Sequence, residues 1–377
     1  MLECKFITNG MSIQYDGTIK PCCTWQADDE WKNQNHYTKV SDISNWHNSQ
    51  QVIEKRKMLE NGIWPDNCVN CRKIEESGRY DSMRGNGNQA YAEYTEKDIT
   101  IEMRPGSVCN FACQSCWPEA STRVRDFMHK AGIIDKKEIN SSAITDFDFL
   151  NPVSERIKDV VLLGGEPFYD KNCLKFLEWS KEYLDANIMI FTNGLYIDYD
   201  FIEEYNSKIT LIFSMDAVGK PGEYIRYGSD WERVKNNLFK CRQYNHVETR
   251  VNITTSIYNF YYLENLIDFF KDDWPDLITF GPAQEKHFQP NVIPFEKRSE
   301  IIESLERIPK KIWNSDIHEH QQHNTVNAIS SIIKKLKYDD FSKENYDYLC
   351  SYIQKMDLAK KIDIKEYCPE LYNILFE

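Results

Sequence analysis

Residues 99–116 read Ile-Thr-Ile-Glu-Met-Arg-Pro-Gly-Ser-Val-Cys-Asn-Phe-Ala-Cys-Gln-Ser-Cys, and the fold prediction starts from this stretch. Its first five residues have the composition of a strand. The next loop carries Cys109, Cys113 and Cys116 at the carboxyl end of that strand, where α/β folds place their chemistry. Three thiolates in so short a loop can surround one metal centre, and on a four-iron cluster they leave one iron open to a cofactor or substrate. The stretch therefore predicts a strand that leads into an iron–sulfur loop.

The main alternative for the triplet is a zinc site. Zinc sites usually combine two pairs of ligands spaced C-x2–4-C, and the C-x3-C-x2-C spacing fits that pattern poorly. Three unrelated buried cysteines are the other alternative. The chain has 12 cysteines and no apparent secretion signal, which favours metal ligation over disulfides for the clustered ones. Cys173, Cys241 and Cys350 stand alone in helix-like contexts and are predicted to be small core residues.

Strand and helix patterns alternate from Ile99 onward. Apolar runs predict further buried strands at residues 160–163, 188–191, 209–213, 247–255 and 277–280. Helical patterns lie between them, at residues 174–184, 231–244 and 263–270. Successive β/α units of this kind predict an α/β fold whose parallel sheet has right-handed crossovers. Periodicity leaves open whether the sheet is flat or curved into a partial barrel.

The last region, residues 291–377, has the pattern of helices. Val326, Ile329, Ile333 and Leu336 are predicted to form one apolar stripe. The first region, residues 1–97, is polar and has few long periodic segments, which is typical of a module that a metal centre stabilises. We therefore expect three parts: residues 1–97, 98–290 and 291–377.

The overall charge argues against some classes of partner. The 377 residues carry a formal net charge of −13, so the chain has no general electrostatic attraction to phosphates, and nucleic acid is disfavoured as a partner. No apolar stretch reaches the roughly 18 residues that a membrane helix needs. The amino terminus lacks a basic segment followed by an apolar run. We therefore expect a cytoplasmic protein without a membrane partner.

A second group of cysteines lies in the first region. It comprises Cys4, the adjacent Cys22 and Cys23, and the pair Cys68 and Cys71. Asp16-Gly17 precedes the adjacent cysteines and predicts a hairpin turn. Two separated groups that include a C-x2-C pair suit tetrahedral zinc as well as an iron–sulfur cluster. Spacing alone leaves both open.

Four further motifs follow predicted strands. They are Gly164-Gly165-Glu166-Pro167, Thr192-Asn193-Gly194, Ser214-Met215-Asp216 and, a little later, Arg226. Glycines permit close approach to the backbone, a carboxylate accepts hydrogen bonds from an ammonium, and an arginine pairs with a carboxylate. Each motif alone is equally typical of a turn or a surface charge. Their common position at strand ends predicts one binding site.

The triplet together with these motifs resembles the radical S-adenosylmethionine (SAM) superfamily. The resemblance implies a partial (β/α)6 TIM-like barrel and a [4Fe-4S] cluster on Cys109, Cys113 and Cys116. It also implies that the Gly164–Pro167 motif contacts the SAM amino group, that Asn193 belongs to the site, that Ser214 and Asp216 contact the ribose or carboxylate, and that Arg226 pairs with the carboxylate. Ser115 stands where the family commonly has an aromatic or large residue.

The first hundred residues resemble the auxiliary-cluster half of the SPASM and twitch domains, here placed before the barrel. This resemblance implies one auxiliary iron–sulfur cluster, expected to be [4Fe-4S], on Cys4, Cys22, Cys68 and Cys71. Cys23 is an alternative to Cys22 that the sequence does not separate. The fold prediction is thus an α/β partial barrel with an N-terminal cysteine-rich cluster module and a C-terminal helical region.

In this superfamily the cluster reductively cleaves SAM to a 5′-deoxyadenosyl radical, which abstracts a hydrogen atom from the substrate. The two cysteine groups lead us to predict oxidative or bond-forming modification of a peptide or small metabolite, with an external electron donor such as flavodoxin or ferredoxin. An RNA-base-modifying enzyme and a non-catalytic iron–sulfur or zinc scaffold or sensor are the alternatives.

Polar and aromatic residues near the last strands have ambiguous roles. Tyr258, Tyr261 and Tyr262 are expected to pack in the core or at its rim more often than to line a pocket. Glu285 and His287 lie where a substrate-side base would sit, but lone polar residues at strand ends are commonly structural.

Overall fold

The structure is a computed structural model that describes residues 2–78, 82–135, 143–315 and 317–377. The chain divides into two compact units. The first comprises Met1–Ser107, Asn140–Ile190 and Asp198–Ile209. The second comprises Val108–Ile139, Phe191–Ile197 and Thr210–Glu377.

The strands form a mostly parallel, eight-stranded sheet, which confirms the α/β class. The bounds are β1 Gly10–Ile13, β2 Ile19–Lys20, β3 Ile99–Met103, β4 Ile157–Leu162, β5 Asn187–Thr192, β6 Ile209–Ser214, β7 Val247–Thr255 and β8 Leu277–Pro282. Their order in the sheet is β2-β1-β3-β4-β5-β6-β7-β8. Strands β3 to β8 correspond to the six predicted from apolar runs. Along the chain they alternate with helices, as a partial (β/α)6 barrel requires.

Helices account for most of the remaining described residues. They are α1 Lys5–Asn9, α2 Asp29–Gln34, α3 Gln50–Glu60, α4 Val69–Glu76, α5 Met83–Ala90, α6 Thr122–Lys130, α7 Lys171–Tyr183, α8 Tyr199–Glu204, α9 Gly219–Ile225, α10 Trp231–Cys241, α11 Leu263–Phe270, α12 Arg298–Trp313, α13 Glu319–Tyr338, α14 Lys343–Lys360, α15 Ile364–Tyr367 and α16 Pro369–Phe376. None of these helices, in the part of the chain described, is long and apolar enough to cross a bilayer.

Two strands of the first unit are additions to the prediction. The turn at Asp16 and Gly17 joins β1 and β2 into an antiparallel pair in which Ser12 faces Lys20. Gly17 has a φ of 82°, a backbone conformation that residues other than glycine rarely adopt. β1 also pairs with β3 in parallel, Gly10 with Thr100 through Ile13 with Met103. The predicted hairpin turn therefore exists, and its first strand belongs to the main sheet.

Aspartates determine where three helices begin. Asp170, Asp198 and Asp230 are the N-caps of α7, α8 and α10, and each carboxylate accepts a hydrogen bond from a backbone N–H of the first turn. Such a cap satisfies one of the four N–H groups that a helix leaves without a partner. These short Asp-initiated helices keep the strand-to-helix connections compact.

The last region of the chain is helical, as predicted. The buried face of α13 consists of Gln321, Thr325, Ile329, Ile332 and Leu336. The predicted stripe is therefore corrected at two of its four positions, because Val326 and Ile333 are only half-buried, whereas Ile332 is buried. The expected boundaries at residues 97 and 290 stay a prediction.

An ion-pair network joins α11 to α12 in the second unit. Glu264 is bonded to Ser304 and Arg307 and is paired with Lys311. Hydrogen bonds from Arg307 in particular lower the pKa of Glu264 from 4.5 to about 2. A carboxyl with a lowered native pKa stabilises the fold above its unfolded pKa and loses that contribution as the pH falls toward its native pKa.

We predict that Glu264→Gln lowers the free energy of unfolding at pH 7 and flattens its decline between pH 4.5 and about 2. Urea unfolding at a series of pH values measures this. Glu344→Gln, at the exposed start of α14, removes a charge without this network and serves as the control. Equal slopes for both variants would contradict the assignment.

Candidate functional site

The loop before α6 carries the cysteine triplet and is anchored through its backbone. The N–H of Ala112 donates to the carbonyl of Tyr227, and the N–H of Gln114 donates to the carbonyl of Ile225, both at 2.8 Å. Ser121 caps α6 by accepting from Val124, and its hydroxyl also donates to the carbonyl of Phe111 at 3.1 Å. The backbone around Cys113 is therefore held on both sides.

A side-chain network on α14 holds the same loop. Gln114 is fully buried, and its side-chain oxygen accepts a 2.8 Å hydrogen bond from the ammonium of Lys360. Tyr352 donates its hydroxyl to the carbonyl of Gln114 at 3.2 Å. Burial lowers the pKa of Lys360 from 10.5 to about 7. Helix α14 thus brings a buried basic group to the middle of the cysteine loop.

The three thiols of the loop lie among charged groups. Burial raises the pKa of Cys113, whereas the guanidinium of Arg226, whose Nη1 is 4.0 Å from the sulfur, lowers it. Burial also raises the pKa of Cys116 to about 12, and the charges of Cys113 and Glu285 act in the same direction. The sulfur of Cys109 accepts from the N–H of Phe111 at 3.4 Å. A cation beside the thiols favours their ionised form, which is the form that binds metal.

Arg226 and Asp216, both predicted to contact SAM, form a buried ion pair with each other. The Nε atom of Arg226 lies 2.9 Å from a carboxylate oxygen of Asp216. The other oxygen of Asp216 accepts from the N–H of Thr254 at 2.7 Å. Burial lowers the pKa of Arg226, but the nearby Asp216 and Cys113 outweigh burial and raise it overall. The pair therefore supports the loop, and contact of either residue with SAM stays a prediction.

Asn193 also approaches the cysteine loop within the second unit. Its side-chain amide donates to the side-chain oxygen of Asn110 at 2.8 Å, and its own oxygen accepts from the N–H of Leu195. Gly194 has a φ of 75°, and a Cβ there would lie 2.6 Å from the ring of Phe213. The motif thus has a packing reason for its glycine and a polar reason for its asparagine. Ser214 is the last residue of β6.

The Gly164–Pro167 motif lies in the first unit, directly after β4. A Cβ at Gly164 would be 3.0 Å from both the sulfur of Cys173 and the carbonyl oxygen of Gly106, so a side chain there would force these neighbours to shift. Gly165 donates its N–H to that same carbonyl at 3.2 Å. Glu166 is buried, and its carboxylate accepts from the N–H of Phe168 at 3.3 Å. A contact of this motif with the SAM amino group stays a prediction.

Four of the N-terminal cysteines line one cavity of the first unit. Cys4, Cys22, Cys68 and Cys71 share it with apolar side chains and with Arg84. Burial raises the pKa of Cys4 to about 12 and that of Cys22 to about 11, and Cys71 adds to both shifts. The four predicted auxiliary ligands therefore border one cavity, and their role as ligands stays a prediction.

Cys23 and Arg84 differ in their relation to this cavity. The thiol of Cys23 is hydrogen-bonded to Glu102, and burial and that carboxylate raise its pKa above its usual range. Arg84 borders the cavity, where it pairs with Glu75 and donates to the carbonyl of Glu3 at 2.6 Å. The guanidinium supplies a positive charge close to Cys4 and Cys71.

Metal ligation itself is a separate question. Within residues 2–78, 82–135, 143–315 and 317–377, no three Cys, His, Asp or Glu side chains form a group that could hold a metal ion. Ligation by either set of cysteines therefore stays a prediction. Of the isolated cysteines, Cys173 and Cys241 are buried as expected, whereas Cys350 is half-buried and its thiol lies 3.9 Å from the carbonyl of Leu375.

Several residues of the site had no distinctive sequence signal. Gln114 and Lys360 are 246 positions apart, and nothing local indicates that they pair. Trp117 follows the third cysteine and donates its indole N–H to Glu285, a contact that the sequence did not predict. Tyr258 and Tyr262 are buried, in agreement with the expected packing role, and Tyr261 donates its hydroxyl to Glu300.

Comparisons with known proteins agree with this location. Residues 105–216, less than a third of the chain, match the family model described as a 4Fe-4S single cluster domain. This stretch includes the triplet and the motifs at Gly164, Asn193 and Asp216, and the match agrees with the predicted cluster. No curated protein matches the sequence significantly.

Solved structures with partial likeness include native anSMEcpe with bound AdoMet, at 17% identity and a TM-score of 0.42. The alignment covers 57% of this chain and 61% of that one, which is less than two thirds of its length. Streptococcus suis SuiB is 14% identical over 81% of this chain and 68% of its own, with a TM-score of 0.39. Methylornithine synthase (PylB) is 12% identical over 80% and 83%, with a TM-score of 0.37.

We predict that Gln114→Leu lowers the free energy of unfolding by about 3 kcal/mol, because it leaves the buried ammonium of Lys360 without its acceptor. Gln114→Leu combined with Lys360→Met removes both partners and should recover most of this loss. Urea unfolding followed by tryptophan fluorescence measures both variants. A double variant no more stable than Gln114→Leu would show that the pair is not coupled.

Proposed function

We propose that this chain is a radical SAM enzyme whose catalytic [4Fe-4S] cluster is held by Cys109, Cys113 and Cys116. One observation carries the proposal: the three cysteines lie in a doubly anchored loop that Arg226 approaches, and the loop belongs to the stretch that matches a 4Fe-4S single cluster domain. Three thiols are one fewer than a four-iron cluster has irons, so the donor set suits a cluster with an open iron.

The predicted site residues have separate tasks in this proposal. When bound, the cluster supplies the electron for reductive cleavage of SAM, whose 5′-deoxyadenosyl radical abstracts a hydrogen atom from the substrate. Ala112 and Gln114 fix the loop backbone, and the buried Arg226 offsets the negative charge of the thiolates. Glu166 offers a buried carboxylate suited to an ammonium group. Asn193, Ser214 and Asp216 are the proposed polar contacts of the cofactor.

The N-terminal cavity is proposed to hold one auxiliary iron–sulfur cluster, expected to be [4Fe-4S]. Its donor set is four thiols, from Cys4, Cys22, Cys68 and Cys71, surrounded mainly by apolar side chains. Soft thiolates in an apolar cavity suit a cluster, and four of them leave no open position. Arg84, whose charge lies near Cys4, supports thiolate formation there.

The proposed reaction is oxidative or bond-forming modification of a peptide or small metabolite. A second cluster gives such a reaction a place to deliver the electron that remains after hydrogen abstraction. Reduction of the catalytic cluster requires an external donor, for which flavodoxin or ferredoxin is suitable. The net charge of −13 disfavours the alternative of an RNA base as substrate.

We predict that protein reconstituted anaerobically with iron and sulfide forms 5′-deoxyadenosine from SAM when dithionite is added. Changing Cys109, Cys113 and Cys116 together to alanine should lower the rate of 5′-deoxyadenosine formation at least about a hundredfold, because SAM then has no cluster iron to bind. Liquid chromatography of the quenched reaction measures the product.

The matched control changes Cys241 to serine, since this buried cysteine lies outside both sets. It should retain the rate of the unchanged protein if it folds, which circular dichroism checks. Product formation at an undiminished rate by the triple-alanine variant would refute the proposal. A protein that binds iron but forms no product under any reductant would favour the scaffold or sensor alternative.

For the auxiliary site, we predict that Cys22→Ala lowers bound iron from about eight to about four atoms per chain, whereas Cys23→Ala leaves it near eight. The reason is that Cys22 borders the cavity and Cys23 is bonded to Glu102. Elemental analysis with sulfide determination measures both. If Cys22→Ala retained its iron and Cys23→Ala lost it, Cys23 would be the ligand instead of Cys22. Detection of zinc instead of iron would show that the cavity is a zinc site.

A further inference from the structure

Two residues that the proposed mechanism does not use lie beside the cysteine loop in the second unit. Glu285 follows β8, and one of its carboxylate oxygens accepts from the indole N–H of Trp117, the residue after Cys116. This carboxylate therefore stands next to the loop on which the chemistry is proposed to occur.

The second oxygen of Glu285 has no hydrogen-bond partner among the described residues, although water does not reach it. The Nε2 atom of His287, two positions later, is in the same condition. Buried polar atoms without partners are rare in proteins, and each costs free energy unless a ligand or water satisfies it. Two of them in one short turn, Glu285 to His287, indicate a site that is completed from outside the chain.

Aromatic rings form the rest of this site. The ring of His287 lies 4.6 Å from that of Tyr348 and 5.5 Å from that of Tyr352. Trp117 remains 45% exposed although it is hydrogen-bonded, so its face is open to a ligand. Burial lowers the pKa of His287 from 6.5 to about 4, so its imidazole is neutral near pH 7 and adds no positive charge. A carboxylate beside a group of aromatic rings is an environment that attracts cations.

The neighbouring cations do not neutralise Glu285. Arg226, which also acts on the thiol of Cys116, is paired with Asp216. Lys360 donates to Gln114. Lys286, adjacent in sequence, is exposed. The charge of Glu285 therefore remains available to a ligand.

We propose that Glu285, His287 and Trp117 form a recognition subsite for a cationic nitrogen group, a guanidinium or ammonium, carried by the substrate. One carboxylate oxygen is fixed by Trp117, and the other accepts from the cation. His287 offers a second hydrogen-bonding atom, and the neighbouring tyrosines cover the apolar stem. The inference rests on the proposed function for its place beside the cluster, and it narrows the substrate class to peptides or metabolites with a basic group.

Binding of small probes to the reconstituted protein tests the subsite. The probes are argininamide and citrullinamide, both acetylated at the α-amino group so that only the guanidinium of the first is charged, and saturation-transfer NMR under anaerobic conditions measures their dissociation constants. We expect argininamide to bind at least about tenfold more tightly than citrullinamide. Glu285→Gln should abolish this preference, whereas Glu285→Asp, which keeps the charge, should retain part of it.

Glu344→Gln is the matched control, because it removes one exposed carboxylate on α14 at a distance along the chain from the subsite. It should leave the preference for argininamide unchanged. Equal binding of the two probes, or equal effects of Glu285→Gln and Glu344→Gln, would overturn the subsite. Circular dichroism shows whether each variant is folded. If Glu285→Gln does not fold, the binding of the two probes to the unchanged protein decides whether the subsite exists.

The two proposals fail in different ways. Formation of 5′-deoxyadenosine without discrimination between the probes would remove the subsite and leave the enzyme class intact. Discrimination through Glu285 without any cleavage of SAM would leave a cation-binding site and remove the radical chemistry.

Discussion

Two backbone hydrogen bonds, from Ala112 to Tyr227 and from Gln114 to Ile225, are the constraint on which the second unit's chemistry depends. A loop that carries three thiols has no regular secondary structure of its own, so its shape must come from neighbouring segments. Here the last residue of α9 and Tyr227, which follows the helix, supply the acceptors, and α14 completes the network through Gln114. The last helices are thus part of the support of the loop, although they lie more than two hundred positions away in sequence.

Buried charge has a consistent explanation around this loop. Burying two opposite charges costs desolvation free energy, and their mutual attraction offsets only part of it. The pair of Arg226 and Asp216 therefore contributes little to the stability of the fold. Beside the three thiols, however, the guanidinium of Arg226 lowers the free energy needed to ionise them. The first unit repeats the arrangement, with Arg84 bordering the four-thiol cavity and paired with Glu75. In both units a cation fixed by a carboxylate accompanies the cysteines.

Local signals predicted the elements, and only the structure reveals their long-range partners. Apolar runs identified β3 to β8 because buried parallel strands need continuous apolar sequence. β1 was missed because Gly10–Ile13 contains a glycine and a serine, which strands disfavour, and only two large apolar residues. The spacing of the cysteines located the loop but did not separate Cys22 from Cys23, since adjacent residues differ only in the direction their side chains take. The contacts of Lys360 and Glu285 depend on packing between distant segments, which no local pattern encodes.

The two sets of cysteines differ in completeness, and this difference is the basis for assigning them different roles. If the four thiols around the apolar cavity hold the proposed cluster, each iron has a protein ligand, and such a centre can exchange electrons but offers no position to a ligand. Three thiols in an anchored loop leave one corner open, as a catalytic zinc site keeps one position for its substrate. Around the open set, the structure places Glu285 with an unpartnered oxygen and Trp117 with an exposed face. The polar atoms without partners therefore lie beside the set of three cysteines, which would leave one iron open. This is the arrangement expected where a cofactor and a substrate bind.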